Sequence, residues 1–195
     1  MKKTILSIGV VLVLFSPGCW EEDTIIPRPK AYFRIDLPEK NYSRWEENAP
    51  FEFEIPSYCN VLPDTGSNTQ AYWYNLDYHP FNAVIHMSYK PVHGNIDTLL
   101  AQSRELAIQH QVKASAMKER PVLNDSADVY GLIYEFGGNT ASSIQFYLTD
   151  STRHFVRGAL YFWARPNADS LAPVLDFLRE DIFRMVETFK WKDVK

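Results

Sequence analysis

The sequence predicts an α+β domain: an antiparallel sheet of about six strands with two main helices packed on it. Three observations predict this. Apolar and polar residues alternate in six stretches, the period of a strand with one face buried. In two other stretches apolar residues recur at three and four, the period of a helix face. Two links, Gly137-Gly138-Asn139 and Asp150-Ser151-Thr152, are as short as hairpin turns, so the strands they join are antiparallel neighbours.

The elements follow in order. Phe51-Glu52-Phe53-Glu54-Ile55 alternates apolar with charged residues and reads as the first strand. Ala71 to Leu76 and Ala83 to Tyr89 are strand-like, with turns at Asp64-Thr65-Gly66-Ser67-Asn68 and His79-Pro80. Asn95-Ile96-Asp97 caps a helix running to about Val112, with Leu99, Leu100, Leu106 and Ala107 on one side. The period of two returns over 127–136, 141–149 and 153–163. A last helix fills about 170–189, where Leu171, Val174, Leu175, Leu178, Ile182, Met185, Val186 and Phe189 recur at three and four. Asp169 or Ser170 caps it, and Pro173 is tolerated because it falls in the first turn.

Composition narrows the function classes. The chain has 195 residues, 46% hydrophobic and 14% aromatic, which excludes wholesale disorder and leaves room for one ordinary domain plus an extra segment. Two cysteines are too few for a disulfide-stapled scaffold or a thiolate zinc site. A formal net charge of -4 speaks against broad nucleic-acid binding, which needs a basic surface to replace counterions.

The N-terminus is an address. Lys2 and Lys3 precede the apolar run from Thr4 to Phe15, which is short of the about 20 residues that span a bilayer. Residues 1–18 therefore read as a secretory signal peptide. The cut falls at Ser16-Pro17-Gly18-Cys19, where a small residue before a cysteine resembles the lipobox of bacterial lipoproteins, with Ser16 where that pattern usually has Leu. The resemblance implies that Cys19 carries a diacylglyceryl group and an acylated amino terminus, fatty chains such as palmitate holding the mature protein to a bilayer. Ordinary cleavage after Gly18, leaving Cys19 bare, is the alternative, since Ser16 and Gly18 also fit a small-x-small site. Prolines 27, 29, 38 and 50 mark residues 19–50 as a partly extended arm, and residues 51–195 as the single globular domain. Tyr32, Phe33, Ile35, Leu37, Tyr42 and Trp45 are too apolar for a free linker, so part of the arm is expected to lie along the domain. With Cys19 acylated, Cys59 has no partner and is expected as a buried, apolar-like thiol.

No reaction announces itself. The five histidines (79, 86, 93, 110 and 154) include no i, i+4 pair with a nearby acid, so no metal site is expected. There is no G-x-S-x-G elbow and no phosphate-binding glycine loop, so neither a catalytic residue nor a cofactor is assigned. An envelope hydrolase would need a clustered nucleophile and base. The polar residues worth following are Asp150, His154 and Arg157, and among them Arg157 stands alone between Phe155-Val156 and Gly158-Ala159-Leu160. A mid-strand arginine is either half of a buried ion pair or an anion contact on an open face. Tyr72, Trp73 and Tyr74, with Tyr78 and Phe81, are candidates for a sugar-stacking platform or an interface anchor, though one face of that run belongs to the core.

Two resemblances add to this. The element order is similar to that of the fold shared by the photosystem PsbP proteins and the Ran-binding protein Mog. The whole mature chain resembles the GldD family, gliding motility lipoproteins of Bacteroidota. Pro27 to Pro38, Tyr130 to Tyr134 with Gly138 to Ser143, and Gln145 to Ser151 with His154 to Phe162 and Pro166 to Ser170 carry the match. The resemblance implies an envelope lipoprotein needed for gliding and for type IX secretion, working with other proteins of that machinery and carrying no assigned catalytic residue. A small-ligand or glycan-binding lipoprotein is the alternative expectation, with Arg157 and the exposed part of the 72–81 aromatics as its site.

Overall fold

Side chains that alternate along neighbouring strands force this chain into layers. The computed structural model describes residues 34–111 and 114–193. The expected signal peptide, Gly18, Cys19 and the arm up to residue 33 lie outside the described residues, as does the side chain of His110. Ile35–Lys195 forms one unit.

Ten strands occur among the described residues: β1 Tyr42–Trp45, β2 Phe51–Pro56, β3 Asn60–Pro63, β4 Tyr74–Tyr78, β5 Ala83–Pro91, β6 Ala116–Asn124, β7 Val129–Gly137, β8 Ser142–Thr149, β9 His154–Phe162 and β10 Lys190–Trp191. Helix α1 is Ile96–Gln111 and α2 is Ala168–Thr188. Seven strands form an antiparallel sheet in the order β3-β4-β5-β9-β8-β7-β6, and β1-β2-β10 form a small second sheet. The α+β class is as expected. The sheet is not: the Phe51 strand lies in the small sheet, and β1, β3, β6 and β10 were not expected at all.

After β5 the chain crosses the sheet through α1 to the far edge, then returns as the β6–β9 meander until β9 pairs with β5. The crossing shows in the packing. Leu99 near the start of α1 packs with Val92 and Phe155, whereas Ala107 near its end packs with Tyr134 and Phe136. Val156 and Ile133, each adjacent in sequence to one of those residues, point to the opposite face. There they join α2 residues Val174, Leu178, Ile182, Met185 and Val186 and β2 residues Phe51 and Phe53 in the main core. Stacked rings fill that side, with Phe51 and Phe53 each against Phe189. On the same face, Gly158 lies directly opposite Phe146, and a methyl group there would collide with the Phe146 ring.

The cap of α2 differs from expectation. Asn167 is the N-cap, its side-chain oxygen accepting from the Ser170 N–H at 3.3 Å, while Asn139 of the β7–β8 turn accepts from Ala168 N–H at 2.8 Å. Asp169 and Ser170 fall inside the first turn, and Pro173, the sixth helical residue, falls beyond it, where it cannot donate the usual bond four residues back. Near Tyr72 the chain is not extended. Its φ of 63° is left-handed, and the strand begins only at Tyr74.

The end of the arm is part of the fold. β1 pairs with β2 from Tyr42↔Pro56 to Trp45↔Phe53, and Trp45 stacks on Phe53. Beside it lies Asp181 of α2, with no solvent exposure. Its carboxylate accepts from Lys40 Nζ at 2.9 Å, Tyr42 Oη at 2.6 Å and Tyr58 Oη at 2.7 Å. Lys40 also donates to the Phe177 carbonyl at 2.6 Å and sits 4.1 Å above the Phe177 ring. Burial first, then the bond to Asp181, pushes both the Tyr42 and Tyr58 phenols up, keeping them protonated as donors.

Removing a buried carboxylate strands its cation and phenols without an acceptor, at a cost of roughly 3–5 kcal/mol. Asp181→Ala should therefore lower the unfolding free energy from urea curves by that amount, whereas Glu180→Ala, which removes an exposed partner of Lys40 at 3.1 Å, should leave it nearly unchanged. Gly158→Ala should destabilise by about 1–3 kcal/mol through overpacking against Phe146, measured on the same curves.

Candidate functional site

Two clefts gather most of the polar residues that drew attention in the sequence. The first lies between α1 and the sheet. In the β5–β9 register Ser88 faces Arg157 and Lys90 faces Phe155, so Lys90 and Arg157 are diagonal neighbours on the α1 face. They line a cleft of about 370 Å³ together with Trp73, Ser103, Leu99 and Leu106. Arg157 is half-buried and donates through Nη2 to Gln145 Oε1 at 2.6 Å. Burial pulls its pKa down from the ordinary value. Of the two expected arrangements for Arg157, the ion pair does not form: among the described residues no carboxylate lies within 4 Å of it.

The second cleft, about 580 Å³, is lined by Tyr72, Tyr89, His154, Arg153, Lys192 and Asp193, among others. The Asp150 turn positions it. Asp150 Oδ1 accepts from the backbone N–H groups of Thr152, Arg153 and His154 at 3.1, 2.8 and 2.8 Å. Burial opposes ionisation of Asp150, but those three donors outweigh it and the pKa falls below the usual carboxylate value. The turn feeds His154 into a face-to-face stack on Trp191, with ring centroids 5.0 Å apart, and its Nδ1 lies 2.9 Å from Tyr89 Oη. Burial lowers the His154 pKa and raises that of Tyr89, so near neutral pH a protonated phenol shares this hydrogen bond with a neutral imidazole. The cations here are paired: Arg153 with Asp193 at 3.1 Å and with Asp150 at 3.6 Å, and Lys192 with Glu46 at 3.8 Å.

The structure separates the three consecutive aromatic residues. Tyr72 stands edge-on to Tyr89 at 5.6 Å in the second cleft. Trp73 lines the first, its Nε1 donating to the Tyr89 carbonyl at 2.9 Å. Tyr74 packs against Trp45 and Phe51 at the main core. They do not form one platform, because the left-handed turn at Tyr72 breaks the alternation that a continuous strand would impose. Arg157 and His154 likewise belong to different clefts. Lys90, Gln145 and Tyr89 were not singled out from the sequence, since only the strand register brings them beside Arg157 and His154.

Among the described residues no group of three or more His, Cys, Asp or Glu could hold a metal ion. Cys59 is free and 5% exposed, and burial first, moderated by a hydrogen bond with Tyr78, pushes its thiol up to about 12. That is the inert, apolar-like thiol expected from the sequence.

Fold and clefts define the class: an α+β sandwich with a layer on each face of its sheet, whose outer α1 face keeps a cleft open. Comparison with known proteins adds the family. The family model described as Gliding motility lipoprotein GldD matches residues 22–191, and the chain belongs to that family, one of membrane-anchored envelope lipoproteins. No helix among the described residues is long and apolar enough to cross a membrane. No curated protein matches the chain. Among solved structures it is similar to the solution structure of cyanobacterial PsbP (CyanoP) from Synechocystis sp. PCC 6803, at 9% identity over 82% of this chain and 97% of that one, with a TM-score of 0.45.

The lowered pKa of His154 has a pH consequence. A group held neutral by the fold takes up its proton more readily when unfolded, so its contribution is complete above about pH 6.5 and is lost as pH falls below that value. His154→Gln should flatten the decline in melting temperature as pH falls below about 6.5. A decline of undiminished slope in that variant would assign the effect elsewhere.

Proposed function

We propose that the protein is a lipid-tethered, non-enzymatic interaction component of the envelope machinery for gliding motility and type IX secretion. The observation that carries this reading is the match of residues 22–191 to the gliding motility lipoproteins, in a chain whose Cys19 stands directly after Gly18, where the sequence leads one to expect a signal-peptide cut. Acylation at Cys19 would supply the attachment, several buried chains holding where a single one is marginal. Confinement to a membrane surface raises the effective concentration of the domain for partners held there.

The domain offers contact chemistry. Trp163, just past β9, is 74% exposed and Leu123 on edge strand β6 is 77% exposed. Tryptophan is the residue type most enriched at interface hot spots, so Trp163 is the first anchor to test.

Cys19→Ala should release the protein from the membrane fraction and impair both secretion of type IX cargo and gliding, with the variant still folded by circular dichroism. A variant that is soluble yet secretes at the wild-type level would contradict the tether. Retention of the variant in the membrane fraction would contradict acylation as the means of attachment.

A further inference from the structure

The two cations of the α1 cleft, Lys90 and Arg157, have no carboxylate partner among the described residues. Arg157 spends one N–H on Gln145, which is 1% exposed and whose own Nε2 is buried with no partner among the described residues. Lys90 makes no ion pair or hydrogen bond among the described residues and lies diagonally across the strands from Arg157. Asp64, the one carboxylate on the cleft wall, is held by its own loop: it accepts from Asn75 Nδ2 at 3.1 Å, from Thr69 and from the backbone of Gly66 and Thr65. It lies within 4 Å of neither cation. The second cleft provides the contrast, because there Arg153 and Lys192 each have a carboxylate.

A half-buried guanidinium loses hydration that only an anion or a full set of acceptors restores. Among the described residues Arg157 has one hydrogen-bond acceptor, an amide oxygen. A second cation on the same face adds repulsion. Both costs are relieved when a carboxylate enters, since two charge-assisted hydrogen bonds to a guanidinium are among the strongest polar contacts a protein makes. Phe155, Leu99, Leu106 and Trp73 give the cleft an apolar side, next to the neutral polar groups of Asn75, His86, Ser88, Gln102 and Ser103. A volume of about 370 Å³ falls in the range of small-molecule sites.

We propose that this cleft binds a small organic carboxylate, its head held by Arg157 and Lys90 and its apolar body lying against Phe155, Leu99 and Leu106. The head group follows from the two cations and the apolar body from the apolar side of the cleft. The site stands apart from the secretion role and from the tether: it would operate whichever partner the domain touches.

The test is calorimetric titration of the full chain in a non-ionic detergent with phenylacetate, set beside phenylacetamide and phenyl phosphate. Phenylacetate should bind saturably, with a dissociation constant on the order of 1 mM or tighter. The neutral amide should not bind. Lys90→Met should weaken phenylacetate about tenfold, and Arg157→Gln should abolish binding. Because Arg157 is half-buried, the melting curve of its variant is compared with wild type. Should that variant not fold, Lys90→Met, on a partly exposed residue, decides alone. Equal binding of acid and amide, no saturable binding to the folded protein, or unchanged affinity in Lys90→Met would overturn the proposal. Phenyl phosphate binding more tightly than phenylacetate would overturn the carboxylate assignment.

Discussion

One buried carboxylate joins the parts of this molecule that pattern and packing alone would leave separate. Asp181 lies on α2, Lys40 and Tyr42 precede and begin β1, and Tyr58 sits between β2 and β3. The three donors come from two segments far in sequence from α2 and meet on the same charge. Tyr58 also stacks on Phe177 and stands edge-on to Phe81, which carries the polar knot directly into the aromatic core. The arrangement explains why the proline-rich arm does not end where its composition changes. Its last residues are ordered by an acid more than 120 positions further along the chain.

The two faces of the large sheet serve different ends. Under α2 and the small sheet the rings close on one another, and Gly158 is kept small so that Phe146 can lie across β9. Beneath α1 the packing falls into two patches, Leu99 with Phe155 and Val92, and Ala107 with Tyr134 and Phe136. Beside the first patch α1 leaves space, and the polar residues of β5 and β9 line it. A helix that must cross from β5 to the β6 edge cannot cover every strand it passes. The cleft is thus a by-product of connectivity that the side chains of β5 and β9 have made donor-rich.

Much of this was legible in the sequence, for identifiable reasons. β5, β7, β8 and β9 are central, buried and β-branched or aromatic, so their alternation is strong and their bounds were read to within about two residues. The strands that went unread are short or at an edge. β6 carries Pro121 and a polar run from Lys118 to Arg120, β3 is four residues ending in proline, and β10 is two residues. Such segments form because a neighbour offers hydrogen bonds, which no local pattern records. The α2 cap was misread because its donors are satisfied from outside as well as inside the helix, by Asn139 as well as Asn167. At the site, Arg157 was conspicuous as a lone charge between apolar residues. Lys90 and Gln145 were not, since their meaning depends on cross-strand register, and the left-handed turn at Tyr72 could not be foreseen for a residue that so seldom adopts one.

The claim on which the account most depends is that Asp181 orders the arm against the domain. Amide hydrogen exchange of the full chain tests it directly, comparing wild type with Asp181→Asn. The account predicts that protection of Tyr42–Trp45 is lost in the variant while β8 and β9 remain protected. Undiminished protection of Tyr42–Trp45 would show that β1 is held by its pairing with β2 alone, and would contradict the role given to Asp181.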